Sequence, residues 1–309
     1  MKKLLVILGP TGTGKTDLAL EIAKKFDGEL VSADSRQIYT GMDIGTGKLP
    51  SSGEVEKHKN YWLVEGIPTH LYDLITPDKT FSVAAYQQLA YAAIDGIHKK
   101  NKLPILVGGT GLYIRVVVEG LKIPKVPPDK KLRERLEAKS LPALVAELEN
   151  VDPEGAAGID RENSRRIIRA LEVYYQTGEP LSKLKGKFKV NLDSLKIGLT
   201  SNRDYLYNRA DSRIEAWIKT GFIQEVRRLI DKGHKDSIAL TSLGYRQIAM
   251  YLQGKISLQE AVQRIKFEHH SYIRAQLTWF RKEPRMIWFD VAEKDYTNRV
   301  YNQVGDWLK

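Results

Sequence analysis

The residues best suited to chemistry stand near the start of the chain. Gly9, Pro10, Thr11, Gly12, Thr13, Gly14, Lys15 and Thr16 follow the apolar run Leu4–Leu8 and precede a stretch with helical spacing. Glycines at these positions let the backbone curl so that successive N–H groups face one anion. The helix that follows adds the positive end of its dipole. Lys15 brings a point charge, and the Thr16 hydroxyl can reach a phosphate oxygen or its Mg²⁺. The loop specifies a phosphate chain without saying whose. A nucleotide-hydrolysing site would want an acid at a strand end to hold Mg²⁺. The acid so placed is Asp34, at the end of Gly28–Asp34 and followed by Ser35, Arg36 and Gln37. The same aspartate would also suit a helix N-cap or an Asx-turn. Thr110, in Gly108-Gly-Thr-Gly111, follows a third apolar strand and serves equally as a cleft residue or a turn residue.

Two arginine pairs are spaced four apart, Arg165 with Arg169 and Arg209 with Arg213. Each pair shares a helix face and repels unless an anion or an acid lies between. A solvated face accounts for such a pair on its own; beside a phosphate cleft, arginine's planar fork suits the phosphate. Trp279 and Phe280 could stack a base but read first as core. His269 and His270 are adjacent and point apart, so they make no metal site.

The elements that must position these groups are legible from pattern. Leu4–Leu8, Gly28–Asp34 and Lys102–Val107 read as strands, and glycine turns follow the first and third. Thr16–Phe26 and Ser82–Lys100 read as helices, with Ser82 as N-cap. Strand–helix alternation predicts a parallel sheet with ligands beyond its carboxyl ends. Leu121–Lys130 is proline-rich and breaks regular structure. Helical patterns follow, one closing at the C-cap candidate Gly178. Leu195–Thr200 and Arg285–Asp290 return as strands, with helices between them. The expected organisation is an α/β core over 1–120 and 195–309, with a helical insertion over 121–194.

Composition bounds the rest. The chain has 309 residues and no cysteine, which removes disulfides, thiolate zinc sites and cysteine nucleophiles together. The apolar run at the start is too short for a signal peptide, and no stretch approaches a membrane span, so a cytoplasmic protein is expected. The net charge of +11 is uneven. Residues 1–113 hold 13 Lys/Arg against 12 Asp/Glu; residues 114–309 hold 36 against 26. A basic later part points to a polyanion, with nucleic acid first.

The segments GPTGTGKT, DSRQIYTGMDIGTGK, VGGTGLYI, RRIIRALEVYYQTG, GYRQ and LTWFR, in this order, resemble the bacterial tRNA dimethylallyltransferases, also called tRNA isopentenyltransferases. The likeness runs from Lys3 to about Asp290. It implies a P-loop NTPase-like parallel sheet core flanked by helices, with a helical insertion domain that contacts tRNA. The implied reaction moves the dimethylallyl group of dimethylallyl diphosphate to N6 of the adenosine at position 37 of tRNA, with Mg²⁺. Asp34 matches the general base; Lys15, Thr16 and Arg209 match groups that act on the diphosphate, and Gly9 to Thr16 match its loop. The tRNA contacts fall on Asp34, Ser35, Arg36, Gln37, Thr110, Arg133, Arg165, Arg166, Ile167, Ile168, Arg169, Thr241, Gly244, Tyr245 and Arg246. The implied partners are the anticodon stem-loop and dimethylallyl diphosphate, bound by a monomer. One segment departs from the family: Ser271 and Ala275 stand where basic residues are common. The competing reading is a P-loop nucleoside or nucleotide kinase that binds ATP; it leaves the basic later part and the DSRQIY block without a role.

Overall fold

The computed structural model describes residues 1–50, 53–59 and 61–309. The strands are β1 (Lys2–Leu8), β2 (Gly28–Ser32), β3 (Val55–Lys57), β4 (Tyr61–Val64), β5 (Ile67–His70), β6 (Leu103–Gly108), β7 (Leu192–Thr200) and β8 (Met286–Asp290). They form one sheet in the order β3-β4-β5-β2-β6-β1-β7-β8. From β5 to β8 neighbouring strands pair in parallel. β4 runs against both of its neighbours. β1, β2 and β6 are buried along almost their whole length, which is why they read as unbroken apolar runs.

The helices are α1 (Lys15–Lys25), α2 (Val83–Lys99), α3 (Gly111–Val118), α4 (Lys130–Glu137), α5 (Leu141–Val151), α6 (Pro153–Gly158), α7 (Ser164–Thr177), α8 (Leu181–Leu184), α9 (Arg203–Lys219), α10 (Phe222–Leu229), α11 (Tyr245–Leu252), α12 (Leu258–Phe280) and α13 (Tyr296–Leu308). Ser82 caps α2 by accepting from the Ala85 N–H at 3.1 Å. Gly178 closes α7 with φ 76°, its N–H donating to the Tyr174 carbonyl at 2.8 Å. Both follow from local chemistry, a hydroxyl for an orphan N–H and a residue tolerant of left-handed backbone.

The chain divides into two compact units, Met1–Ile114 with Asn191–Lys309, and Arg115–Val190. The first holds the sheet, which is P-loop NTPase-like. One side of it packs Leu18, Ile22, Val300 and Val304 of α1 and α13 against Leu5, Ile7, Ile105 and Ile197. A second apolar cluster joins α9 to α12 with the segment after β2, through Ile38, Met42, Trp217, Phe222 and Tyr245. The second unit has its own core of Leu136, Leu144, Leu148, Ile167 and Leu171. No described helix is long and apolar enough to cross a membrane.

Candidate active site

The candidate residues gather beyond the carboxyl ends of β1, β2 and β6, neighbours in the parallel part of the sheet. β1 runs into the phosphate loop. Gly14 begins α1 with φ 76°, a conformation that side chains resist. The loop is braced internally: the buried Thr13 hydroxyl donates to the Pro10 carbonyl at 2.9 Å, and Lys15 Nζ donates to the same oxygen at 2.9 Å. Burial, then the Arg213 charge, lower the Lys15 pKa to about 7, against the pull of Asp34 and Asp17. Arg209 lies over the loop, where a Cβ on Gly14 would stand 3.6 Å from its Nη2.

β2 delivers Asp34. Its Oδ1 accepts from the Arg36 N–H at 2.8 Å, forming an Asx-turn. No described residue bonds Oδ2, so the turn leaves one carboxylate oxygen without a partner among the described residues. β6 approaches so closely that a Cβ on Gly108 would meet the Ala33 carbonyl oxygen at 2.2 Å. That close approach carries Thr110 to the Asp34 turn, where its Oγ1 accepts from the Ser35 N–H at 3.1 Å.

Two clefts open among these elements. One, of about 510 Å³, is lined by Gly14, Lys15, Thr16, Asp17, Arg209 and Arg213 among others. The other, of about 360 Å³, is lined by Thr11, Asp34, Ser35, Arg36, Thr241, Tyr245, His269 and Tyr272 among others. Arg213 and Trp217 belong to both linings and form the wall the clefts share. Arg213 lies over the Trp217 ring, 4.9 Å from its centroid. Its Nε is buried without a hydrogen-bond partner among the described residues. Burial, with the Arg209 charge, lowers its pKa to about 10, so it remains cationic at neutral pH.

The segment 43–48 edges both clefts, with Gly45 and Thr46 toward Asp34 and Ile44 and Gly47 toward the phosphate loop. Buried Glu225 of α10 holds it, accepting from the N–H groups of Asp43, Ile44 and Gly45 at 3.0, 2.8 and 3.3 Å and from the Tyr245 hydroxyl at 2.6 Å. Fully buried Lys48 anchors the other end to the Tyr39 carbonyl at 2.6 Å and to Asp43 at 3.0 Å.

Several expected tRNA contacts have partners within the protein. Gln37 is a brace: it accepts from Ser32 Oγ at 2.7 Å and donates to the carbonyls of Thr46 and Gly47 at 3.2 and 3.3 Å. Ile167 and Ile168 lie in the core of the second unit, so their side chains cannot contact a ligand. Arg133 grips buried Glu172 with two bonds of 2.7 and 2.8 Å, and Arg169 adds a third at 2.6 Å. Burial raises the Glu172 pKa, but these guanidinium bonds outweigh it and hold the carboxyl below its ordinary value. Arg165 and Arg166 are exposed and have no ion-pair partner among the described residues. In the first unit, Gly244 starts α11 with φ 84°, and Arg246 pairs with Glu268 at 2.6 Å.

The sequence did not reveal Gln276, whose Oε1 accepts from the Thr11 N–H and whose Nε2 donates to the Gly109 carbonyl, each at 3.0 Å. It thereby ties the phosphate loop to the β6 turn. Nor did it reveal Glu225, Trp217 or the bridging place of Arg213. Their only sequence signal is polar or aromatic residues on helices otherwise read as packing. His269 lines the Asp34 cleft, while His270 turns to Asp211 at 2.9 Å. No group of three or more metal-binding side chains occurs among the described residues.

The family model described as IPP transferase matches residues 37–283. The tRNA dimethylallyltransferase of Thermomicrobium roseum is 43% identical over 100% of this chain and 92% of its own length. That of Geobacillus thermodenitrificans is 41% identical over 95% and 92%. Among solved structures, the full-length tRNA isopentenylpyrophosphate transferase of Bacillus halodurans superposes with a TM-score of 0.72 at 36% identity, covering 99% of this chain and 96% of that one. A eukaryotic dimethylallyltransferase acting on tRNA gives 0.83 at 25% identity, covering 100% and 80%. The chain belongs to the IPP transferase family, and the tRNA dimethylallyltransferases are its relatives.

Proposed function

We propose that the protein transfers the dimethylallyl group from dimethylallyl diphosphate to N6 of the adenosine at position 37 of tRNA, in the anticodon stem-loop. The observation that carries the reading is the shared wall: the phosphate-loop cleft and the Asp34 cleft meet at Arg213 and Trp217. A donor held by its diphosphate in one cleft would present its allylic carbon to an amine in the other.

The N6 lone pair attacks the allylic carbon as the bond from that carbon to the diphosphate oxygen breaks. The electron pair leaves with the diphosphate, and the N6 proton passes to Asp34 Oδ2. Adenine's amine is a weak nucleophile because its lone pair is delocalised, so the reaction depends on stabilising the leaving group. Lys15, Arg209 and Arg213 line the phosphate-loop cleft and, with the loop N–H groups, would serve that task. Thr16, with Asp17 in the same lining, offers an all-oxygen donor set. It suits Mg²⁺, which takes few protein ligands and completes its shell with phosphates and water. When bound there, Mg²⁺ would add positive charge to the diphosphate. The target base must leave the anticodon stack, and Trp217 and Tyr272 provide aromatic surface for what enters the Asp34 cleft. Exposed Arg165 and Arg166 suit tRNA phosphates. We take the protein to act as a cytoplasmic monomer.

Incubation with unmodified tRNA, Mg²⁺ and labelled dimethylallyl diphosphate tests the reading. Label should enter the tRNA without ATP and only where adenosine stands at position 37. ATP consumption on a nucleoside without such transfer would favour the kinase instead.

A further inference from the structure

His269 sits on α12 with its ring 5% exposed and edge-on to Trp217, the centroids 5.9 Å apart. Its Nδ1 lies 2.9 Å from the Ile265 carbonyl oxygen, one turn back on the same helix. A carbonyl oxygen can only accept, so Nδ1 carries the proton. In the neutral ring the opposite nitrogen, Nε2, is then an unprotonated acceptor, and no described residue donates to it. The ring forms part of the lining that holds Asp34, Arg213 and Tyr272. Burial is the main cause that lowers the His269 pKa to about 4, with the Arg213 charge adding to it and the Ile265 bond opposing. The imidazole is thus neutral at neutral pH, and Nε2 is open to accept.

Of the side chains around this cleft, Arg36 and Arg213 only donate. Asp34 has one oxygen already committed to the Arg36 N–H. A nucleoside brings both acceptors and donors, and its donors need partners when water is excluded.

We propose that His269 is a specificity-determining residue whose Nε2 accepts a hydrogen bond from a donor of the target nucleoside. The donor is either the exocyclic amine or the ribose 2′-hydroxyl. The inference rests on the reading that adenosine occupies the Asp34 cleft.

The test measures binding of three anticodon stem-loops to the whole protein: one with adenosine at the target position, one with purine riboside, which lacks the exocyclic amine, and one with 2′-deoxyadenosine. His269→Phe keeps the ring's volume and its Trp217 contact but removes the acceptor. It should bind the adenosine RNA about 3- to 10-fold more weakly than the unmutated protein, the size of one neutral hydrogen bond. It should lose nothing on the analogue that lacks the responsible donor, which names that donor. His269→Gln offers an amide oxygen and should restore part of the discrimination; it stands as the second variant should Phe lower the unfolding midpoint. A merely structural role would weaken all three RNAs alike and would overturn the proposal. Label transfer by the unmutated protein is the control. If it transfers but the variants discriminate as it does, this inference alone falls; if it transfers nothing, the proposed function falls and takes this inference with it.

Discussion

Asp34 has its two oxygens in different situations. Oδ1 shapes the turn by accepting from the Arg36 N–H, and Oδ2 has no partner among the described residues. Asn can keep the turn through its carbonyl but cannot take a proton. Asp34→Asn should therefore lower turnover by about 10²- to 10⁴-fold, the usual worth of a positioned base, with tRNA affinity changed by less than about threefold. Normal turnover with weakened tRNA binding would make Asp34 a contact residue only. Lys15 gives a second prediction. Its pKa is lowered to about 7 from the ordinary 10.5, chiefly by burial and then by Arg213. Between those values the free protein carries Lys15 largely neutral, and an arriving diphosphate favours the charged form. Binding of dimethylallyl diphosphate at pH 8 should thus take up close to one proton, seen by titration calorimetry in buffers of different ionisation enthalpy. Lys15→Met should abolish the uptake; uptake unchanged in that variant would place the proton elsewhere. The same depressed pKa makes Lys15 favour folding less at pH 6 than at pH 9, since the unfolded chain binds the extra proton across that window.

Among the elements, the segment 43–48 does the dividing, because both clefts use it. Glu225 receives three of its backbone N–H groups and the Tyr245 hydroxyl, so four donors converge on one carboxylate. Glu225→Gln turns one acceptor into a donor that faces other donors, a cost of about 1–3 kcal/mol. We expect a lower unfolding midpoint and a raised KM for both substrates, because the loop borders both clefts. A lowered midpoint with both KM values intact would show that Lys48 and Gln37 hold the loop unaided. This arrangement explains what could be read from the sequence. β1, β2, β6, β7 and β8 announce themselves as apolar runs, and the phosphate loop and Asp34 follow strands directly. β3, β4 and β5 are three or four residues long, too short for alternation to separate them from loop. Glu225 and Gln276 were not legible because the fold joins them to the segment 43–48 and to the phosphate loop from 180 or more residues away. Nothing local distinguishes a buried carboxylate on α10 from a solvated one. Arg133 and Arg169 illustrate the converse: the family resemblance marks them as tRNA contacts, and only the structure shows Glu172 between them.

At the scale of the whole molecule the charge is the main lever. Residues 114–309 carry nearly all of the net +11, and cations that meet RNA phosphates release counterions when they do. Only unpaired cations contribute fully, so the ion pairs sort the basic residues. Arg165 and Arg166 are exposed and unpaired among the described residues, whereas Arg133 is bound to a carboxylate with no exposure of its own. Replacing Arg165 and Arg166 together by Gln should weaken tRNA binding and reduce the slope of log K against log salt by about 2, one unit for each phosphate left without its cation. Because these arginines would meet the RNA backbone, different tRNAs should lose affinity alike. Arg133→Gln should do the reverse: it should lower the unfolding midpoint, by leaving Glu172 short of a partner, and leave the salt slope nearly unchanged. If the slope responds to Arg133 and ignores Arg165 and Arg166, then tRNA displaces the Glu172 pairs on binding. In that event the buried carboxylate, not the exposed arginines, would govern how the second unit meets RNA.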